Sequence, residues 1–285
     1  MGILTLTTDM GHQDHYVAVV KGKILNDIPR ANIIDISHNV SPFDILEASF
    51  LLKNVIDEFP PGTIHIIGVD PETVINFKDE TKSSVPKIVI YKEQIFIGND
   101  SGIFSLILEH HEAEAIYKIV EYTKPEYLRF PTKSIFADVA CRLLKGEKPE
   151  DIGEPIDYLK RAISIQPVIE ENMIRGAVIH IHHYGNAITN ITEKLFNDIG
   201  KGNPFILNFR SETYVIDEIS KSYNEVSSGE KLALFSSTGH LEIAINKGVE
   251  SNGGSAISLL GLRKGDIISI RFQPKGSARN FNELF

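Results

Sequence analysis

Hydrophobic periodicity changes character partway along this chain, and that change limits the architectures open to it. Before residue 154, short β-rich runs alternate with segments of helical spacing. Ile3–Thr7, Asn32–Ile36 and Thr63–Val69 read as strands, and Val89-Ile90 and Ile95–Ile97 suggest two more. Tyr16–Leu25, Ile45–Phe59, Ile103–Glu109 and Ser134–Leu144 read as helices. Asp44 is placed to cap the second helix, and Pro60-Pro61-Gly62 to stop it. Strands separated by helices of this length predict an α/β domain with a mostly parallel sheet covered on both faces. From about Ile174 onward the pattern becomes short alternating runs broken by Gly, Asn and Ser turns: Ala177–His182, Pro204–Phe209, Lys231–Phe235, Leu241–Ile245 and Ile267–Phe272. Only Glu193–Ile199 and Ala256–Leu260 look helical there. That predicts a small all-β second domain. The stretch Glu154–Asn172, with Pro155 and Pro167, separates the two, giving expected domains at residues 1–165 and 173–285. The chain from Pro274 onward reads as a tail.

Composition removes several function classes. Lys and Arg number 29 against 38 Asp and Glu, a formal charge of −9, which argues against non-specific nucleic-acid binding. Cys141 is the single cysteine and cannot form an internal disulfide. It lies in a largely apolar run with no histidine close in sequence to activate it, so it reads as a small buried hydrophobe. No segment approaches 18 uninterrupted apolar residues, so no membrane span is expected. Met1-Gly2-Ile3-Leu4-Thr5-Leu6 lacks a preceding basic region and reads as a first strand, leaving the cytoplasm as the expected compartment.

In an open α/β sheet, ligands bind beyond the carboxyl ends of the strands. Three polar clusters fall there: Asp9 and Asp14 after the first strand, His38, Asn39 and Asp44 after the second, and Asp70 with Glu72 and Thr73 after the third. Carboxylates at three strand ends suit a hydroxyl-bearing or cationic ligand, although Asp14 and Asp44 could equally be helix caps. His12, His15, His180, His182 and His183 raise the question of a metal site, against the alternative of ordinary surface or site-lining histidines. No carboxylate or cysteine completes a local ligand set, so no metal and no cofactor is expected. There is no glycine-rich phosphate loop and no GxSxG elbow. Gly253-Gly254 reads as a turn.

Taken in order, these clusters resemble the S-adenosylmethionine (SAM) hydroxide adenosyltransferases, relatives of the halogenating SAM enzymes. The matching stretches are Thr8-Asp9-Met10-Gly11 with Asp14-His15-Tyr16-Val17, Asp35-Ile36-Ser37-His38-Asn39-Val40-Ser41-Pro42, Phe59-Pro60-Pro61-Gly62-Thr63, Val69-Asp70-Pro71 and Asp100-Ser101-Gly102. In the second domain they are Tyr184-Gly185-Asn186 with Thr189-Asn190-Ile191, Ser236-Ser237-Thr238-Gly239 with Leu241-Glu242-Ile243-Ala244, and Gly254-Ser255-Ala256. The resemblance implies a β-barrel-like second domain, a homotrimer with sites between neighbouring subunits, and attack of water on the ribose C5′ of SAM to give adenosine and L-methionine. It implies that Asp9 binds the ribose hydroxyls, Asp14 lies near the amino-acid end, Phe43 covers the substrate and Asp70 belongs to the catalytic group. Asn186 and Tyr223 match adenine-contacting positions, and Thr73, Phe130 and Ser237 fall in the matched substrate-binding stretches.

The sequence departs from that pattern where the chemistry lies. The family's arginine position is taken by about Phe77, with Lys78 next to it. Pro131 stands where the family has a histidine, and Thr132 falls where halogenating relatives place a small hydroxyl residue. His182 occupies a position where relatives usually carry an aspartate facing the methionine amine, which a neutral imidazole could still meet as an acceptor. Three readings follow: a SAM hydrolase supported by rearranged residues such as Lys78, Lys133 or Thr132, a module that binds SAM or adenosine without turnover, or an enzyme for another 5′-substituted adenosine.

Overall fold

The computed structural model describes residues 2–122, 124–209, 211–249 and 254–274, and the chain separates into two compact units, 1–164 and 165–285. The expected C-terminal tail from residue 275 and the first glycine of the Gly253-Gly254 turn lie outside the described residues.

In the first unit, β1 (Ile3–Thr8), β2 (Asn32–Ser37), β3 (Ile64–Gly68), β4 (Pro86–Tyr91), β5 (Gln94–Asn99), β6 (Ala115–Ile119) and β7 (Gly153–Ile156) form one sheet in the order β2-β1-β3-β5-β4-β6-β7. The pairs β1–β2, β1–β3 and β3–β5 are parallel, so those four strands end on the same edge. From β4 to β7 the pairing is antiparallel. The switch comes at the β4–β5 hairpin, whose turn residues Lys92 and Glu93 both take left-handed backbone, φ 51° and 54°. Two positive φ values match the twist a two-residue hairpin needs, but side chains of this type do not advertise it as Asn-Gly would.

Helices α1 (Tyr16–Asp27) and α5 (Ala137–Leu144) cover one face, packing on Leu4, Leu6, Ile64, Ile66 and Ile97. Helices α2 (Ile45–Lys53) and α3 (Ile103–Leu108) cover the other, around Ile67, Val69, Val89 and Phe96. Cys141 sits in the first of these cores, where burial pushes its thiol up to about 11. Asp44 does cap α2, its carboxylate accepting from the Glu47 amide at 2.9 Å. Asp14 does not cap α1: His15 holds that position without a side-chain bond, and Asp14 is exposed. The helix expected to run to Phe59 stops at Lys53 and gives way to a short 3-10 turn, Ile56–Glu58, as the bonding tightens to three residues back, with the Val55 amide on the Leu52 carbonyl and the Glu58 amide on the Val55 carbonyl. The helix expected from Ser134 is entered through a wider π-type turn, Thr132–Phe136, behind Pro131, with two short helices flanking this region, α4 (Pro125–Leu128) and α6 (Pro149–Ile152). Among the described residues, no helix is long and apolar enough to cross a membrane.

Beneath α2 and α3 runs a buried polar chain. The Gln94 amide nitrogen donates to the carbonyls of Ile56 and Phe59, so its oxygen, 2.7 Å from His65 Nε2, must accept. That places the imidazole proton on Nε2 and leaves Nδ1 to accept from the Thr5 hydroxyl at 2.7 Å. Burial pushes His65 down from the ordinary 6.5 to about 4, so it folds neutral. The unfolded chain binds this proton more readily, and stability is lost as pH falls from 6.5 toward 4. Between pH 7 and pH 4.5 the loss is expected to be roughly 2 kcal/mol. Urea unfolding at pH 7 and pH 4.5 measures it, and His65→Gln should flatten the difference. An unchanged pH dependence in that variant counts against the assignment.

The second unit is antiparallel throughout its sheet. Its strands are β8 (Val168–Glu170), β9 (Met173–Ile181), β10 (Ala187–Thr192), β11 (Phe205–Phe209), β12 (Ser211–Ile216), β13 (Lys231–Phe235), β14 (His240–Ile245) and β15 (Ile267–Phe272). The order is β12-β11-β15-β9-β10-β14-β13, with β8 on β9. Ile219, just beyond β12, bridges to Ala233 of β13, so the two ends of the sheet meet and the unit is a nearly closed barrel. Helices α7 (Glu193–Gly200) and α8 (Ala256–Leu260) lie against its core of Ile174, Ile191, Leu207, Leu241, Ile243 and Ile268. The sequence reading missed β6, β7, β8, β10 and β12, and began β9 four residues late. Most of those missed strands are short or carry polar residues that blur the alternation.

Candidate functional site

The carboxyl ends of β1, β2, β3 and β5 gather the polar residues of the first unit. Asp9 leaves β1 and receives the Phe43 amide at 2.9 Å. Burial pushes its carboxyl above the ordinary carboxylate range; the amides of Phe43, Asp9 and Asp70 oppose this, and the neighbouring Asp70 charge adds to it. Asp70 follows β3 in left-handed backbone, φ 47°, and Phe43 does the same at φ 63°. Such backbone is costly for residues other than glycine and collects at functional sites. Asn99, at the end of β5, holds the Asp70 loop in place, donating to the carbonyls of Asp70 at 3.2 Å and Glu72 at 2.7 Å.

Thr132 enters from the π-type turn and is fully buried, its hydroxyl without a partner among the described residues. It fills the space over Gly68, where an added Cβ would stand 2.7 Å from its methyl and 2.8 Å from its hydroxyl oxygen. Only glycine therefore allows the Thr132 side chain to settle against the end of β3. Thr73, in the loop after Asp70, also has a buried hydroxyl oxygen without a partner among the described residues. Phe130 lies half-buried, edge-on to Tyr16 at 5.5 Å. His38 is buried between the Thr8 hydroxyl at 2.7 Å and the Asp35 carboxylate at 3.0 Å, and burial pushes its pKa down. His12 packs edge-on to it at 5.0 Å, while His15 stacks on Tyr16. Asp14 and Lys78 are exposed, and neither side chain has a polar partner among the described residues. Lys78 stands on a turn whose amides are bound by Asn76, next to Phe77, which is 94% exposed.

In the second unit three of the expected residues converge on one atom that the sequence reading did not single out. Glu242 is 2% exposed, and its Oε1 accepts from Asn186 Nδ2 at 2.8 Å and the Tyr223 hydroxyl at 2.7 Å, with His182 Nε2 at 3.2 Å. Burial alone would raise its pKa, but the bonds from His182, Tyr223 and Asn186 bring it below the ordinary value. The Tyr223 hydroxyl is pushed up by burial and by the carboxylate. His182 Nδ1 accepts from the Tyr184 amide at 3.1 Å, so Nε2 carries the proton and both ring nitrogens are used. The expected acceptor role of His182 toward an ammonium is thus not available in this arrangement. Ser237 is exposed on the β13–β14 turn. Among the described residues, no three His, Cys, Asp or Glu side chains are grouped to hold a metal ion. The signal that could have found Glu242 is its place in Leu241-Glu242-Ile243-Ala244: a carboxylate inside an otherwise apolar strand is costly unless donors meet it.

The SAM hydroxide adenosyltransferase N-terminal domain pattern matches residues 4–153, and the C-terminal domain pattern matches residues 176–269. An (R)-S-adenosyl-L-methionine hydrolase of Methanocaldococcus jannaschii is 33% identical over 198 residues, covering 67% of this chain and 67% of its own length. A fluorinase of Nocardia brasiliensis is 23% identical over 278 residues, covering 86% and 90%. The crystal structure of an uncharacterized conserved protein from Thermotoga maritima superposes with a TM-score of 0.80 at 29% identity, covering 94% of this chain and 100% of that one. Two domain patterns in sequence order, together spanning most of the chain, establish that it belongs to the SAM hydroxide adenosyltransferase family.

Proposed function

We propose that this chain hydrolyses S-adenosylmethionine to adenosine and L-methionine. The reading is carried by Asp70, a carboxylate fixed in left-handed backbone at the end of β3 beside the half-buried Asp9. A water oxygen bonds to the ribose C5′ as the C5′–S bond breaks. The electron pair goes to sulfur and neutralises the sulfonium, and the water's proton passes to Asp70. The leaving group is already activated, so the protein's work is to align one water and exclude the rest. Asp9 takes the ribose hydroxyls as an acceptor. Phe43, Thr73 and Phe130 line the substrate, and Asp14 stands toward its amino-acid end. The unpartnered Thr132 hydroxyl orients the water where Pro131 supplies no donor. Asn186 and Tyr223 take the base, with His182 and Ser237 on the same unit. Lys78 is the nearest replacement in sequence for a cation at Phe77, and Lys133 is a second candidate. Relatives are named for the (R) epimer at sulfur, and we propose that epimer as the substrate. The protein works as a cytoplasmic homotrimer with sites at subunit interfaces; sedimentation should give three chains per particle.

Incubation with an epimeric mixture of SAM, followed by chromatography and mass spectrometry, tests the activity. Adenosine and methionine should appear as the (R) epimer disappears. No adenosine, with SAM still bound, would instead favour a non-catalytic binding module, the reading to which Pro131 and the exposed Phe77 lend weight. Turnover of a different 5′-substituted adenosine alone would point to the third reading.

A further inference from the structure

We infer that Glu242 sets the base specificity of the nucleoside subsite by fixing which way the Asn186 amide faces, so that the subsite takes a 6-aminopurine and turns away a 6-oxopurine. The inference rests on the reading of this chain as a protein for an adenosyl substrate. An asparagine amide has two nearly isosteric orientations, and an ionised carboxylate accepts but cannot donate. With Nδ2 donating to Glu242 Oε1 at 2.8 Å, the opposite orientation would bring the amide oxygen against a buried negative charge. The amide oxygen, Oδ1, is therefore the atom left over. It is buried and has no partner among the described residues, in a side chain 5% exposed. The amide nitrogen is already engaged, by Glu242 and by the Tyr223 hydroxyl oxygen.

An acceptor held in this way is the complement of an exocyclic amino group such as the 6-amino group of adenine. A 6-oxopurine puts an acceptor where Oδ1 also accepts, leaving both unsatisfied. Glu242 is itself immobilised. The Tyr223 hydroxyl donates to the same oxygen at 2.7 Å, and His182, its tautomer fixed by the Tyr184 amide, stands at 3.2 Å. The bond to Tyr223 also holds that ring, 39% exposed, where an aromatic face can meet the base. Glu242 touches no substrate in this scheme; it is a positioning residue.

The test is the ratio of adenosine to inosine affinity, measured by calorimetric titration of the full-length protein. Both ligands carry the same ribose, so a general loss of binding cancels in the ratio. The wild type should prefer adenosine by about ten- to a hundred-fold. Glu242→Gln, isosteric but able to donate as well as accept, should narrow the ratio. Glu242→Leu, which offers no acceptor, should bring it within about three-fold. Folded variants that keep the wild-type ratio overturn the inference, and if Glu242→Leu fails to fold, an unchanged ratio in Glu242→Gln does so alone. A wild type that binds adenosine and inosine equally overturns it while leaving the proposed hydrolysis standing. A wild type that binds neither nucleoside and turns over no SAM removes both.

Discussion

Asp70→Asn should lower kcat for SAM hydrolysis by about 10²- to 10⁴-fold, the range for loss of a positioned proton acceptor. KM should change little, because the substitution spares contacts made equally in ground and transition states. Asparagine is the informative replacement. Asp70 sits at φ 47°, a left-handed conformation that Asn also adopts readily, whereas Ala would add backbone strain to the lost carboxylate. The clamp from Asn99 grips the carbonyl of residue 70, not its side chain, so the loop survives the change. Product formation by chromatography under saturating SAM is the measurement. An Asp70→Asn protein that turns over at the wild-type rate would remove Asp70 from the reaction.

Lys87→Met should cost about 3–5 kcal/mol of stability, the penalty for breaking a buried ion pair from one side. Lys87 and Asp100 are 1% and 0% exposed, and their charged atoms lie 2.7 Å apart. The ammonium also donates to the Tyr158 carbonyl at 3.0 Å and stands 4.4 Å from the centre of that ring. Asp100 Oδ2 further receives the Lys160 amide, but Oδ1 has no partner among the described residues. Without Lys87, Asp100 would be a charged carboxylate with one backbone donor in a dry interior. Urea unfolding at pH 7 measures the loss. The double variant Lys87→Met with Asp100→Leu should recover most of it, since the penalty lies in the orphaned charge. A single variant as stable as the wild type would show that the pair contributes nothing net.

How much of this was readable from the residues alone differs between backbone and site. The alternation of Ile-rich runs with helical spacing was enough to place β1, β2 and β3, and with them Asp9 and Asp70 at strand ends. Asp44 announced itself as a cap because capping is local, a bond between residues three apart. The antiparallel turn at Lys92-Glu93 was hidden because those residues carry no sign of positive φ. The partners of Glu242 were hidden for a different reason: its bond to Asn186 joins residues 56 apart in sequence, and no local pattern encodes that meeting. The left-handed backbone of Asp70 is likewise imposed from a distance, by Asn99 on another strand.

The segment after Asp70 is tied at both ends. Asn99 grips the carbonyls of Asp70 and Glu72, and a β-bridge joins Val74 to Ser84. What lies between, residues 75–83, turns on its own Asn76 and Asp79 bonds and touches the sheet through the Glu80–Lys118 ion pair. Such a segment behaves as an exchangeable cassette. Its length and chemistry can change without disturbing the carboxylate upstream. Grafting a relative's segment between Val74 and Ser84 therefore offers a way to change the chemistry downstream of Asp70 while the anchored aspartate keeps its place.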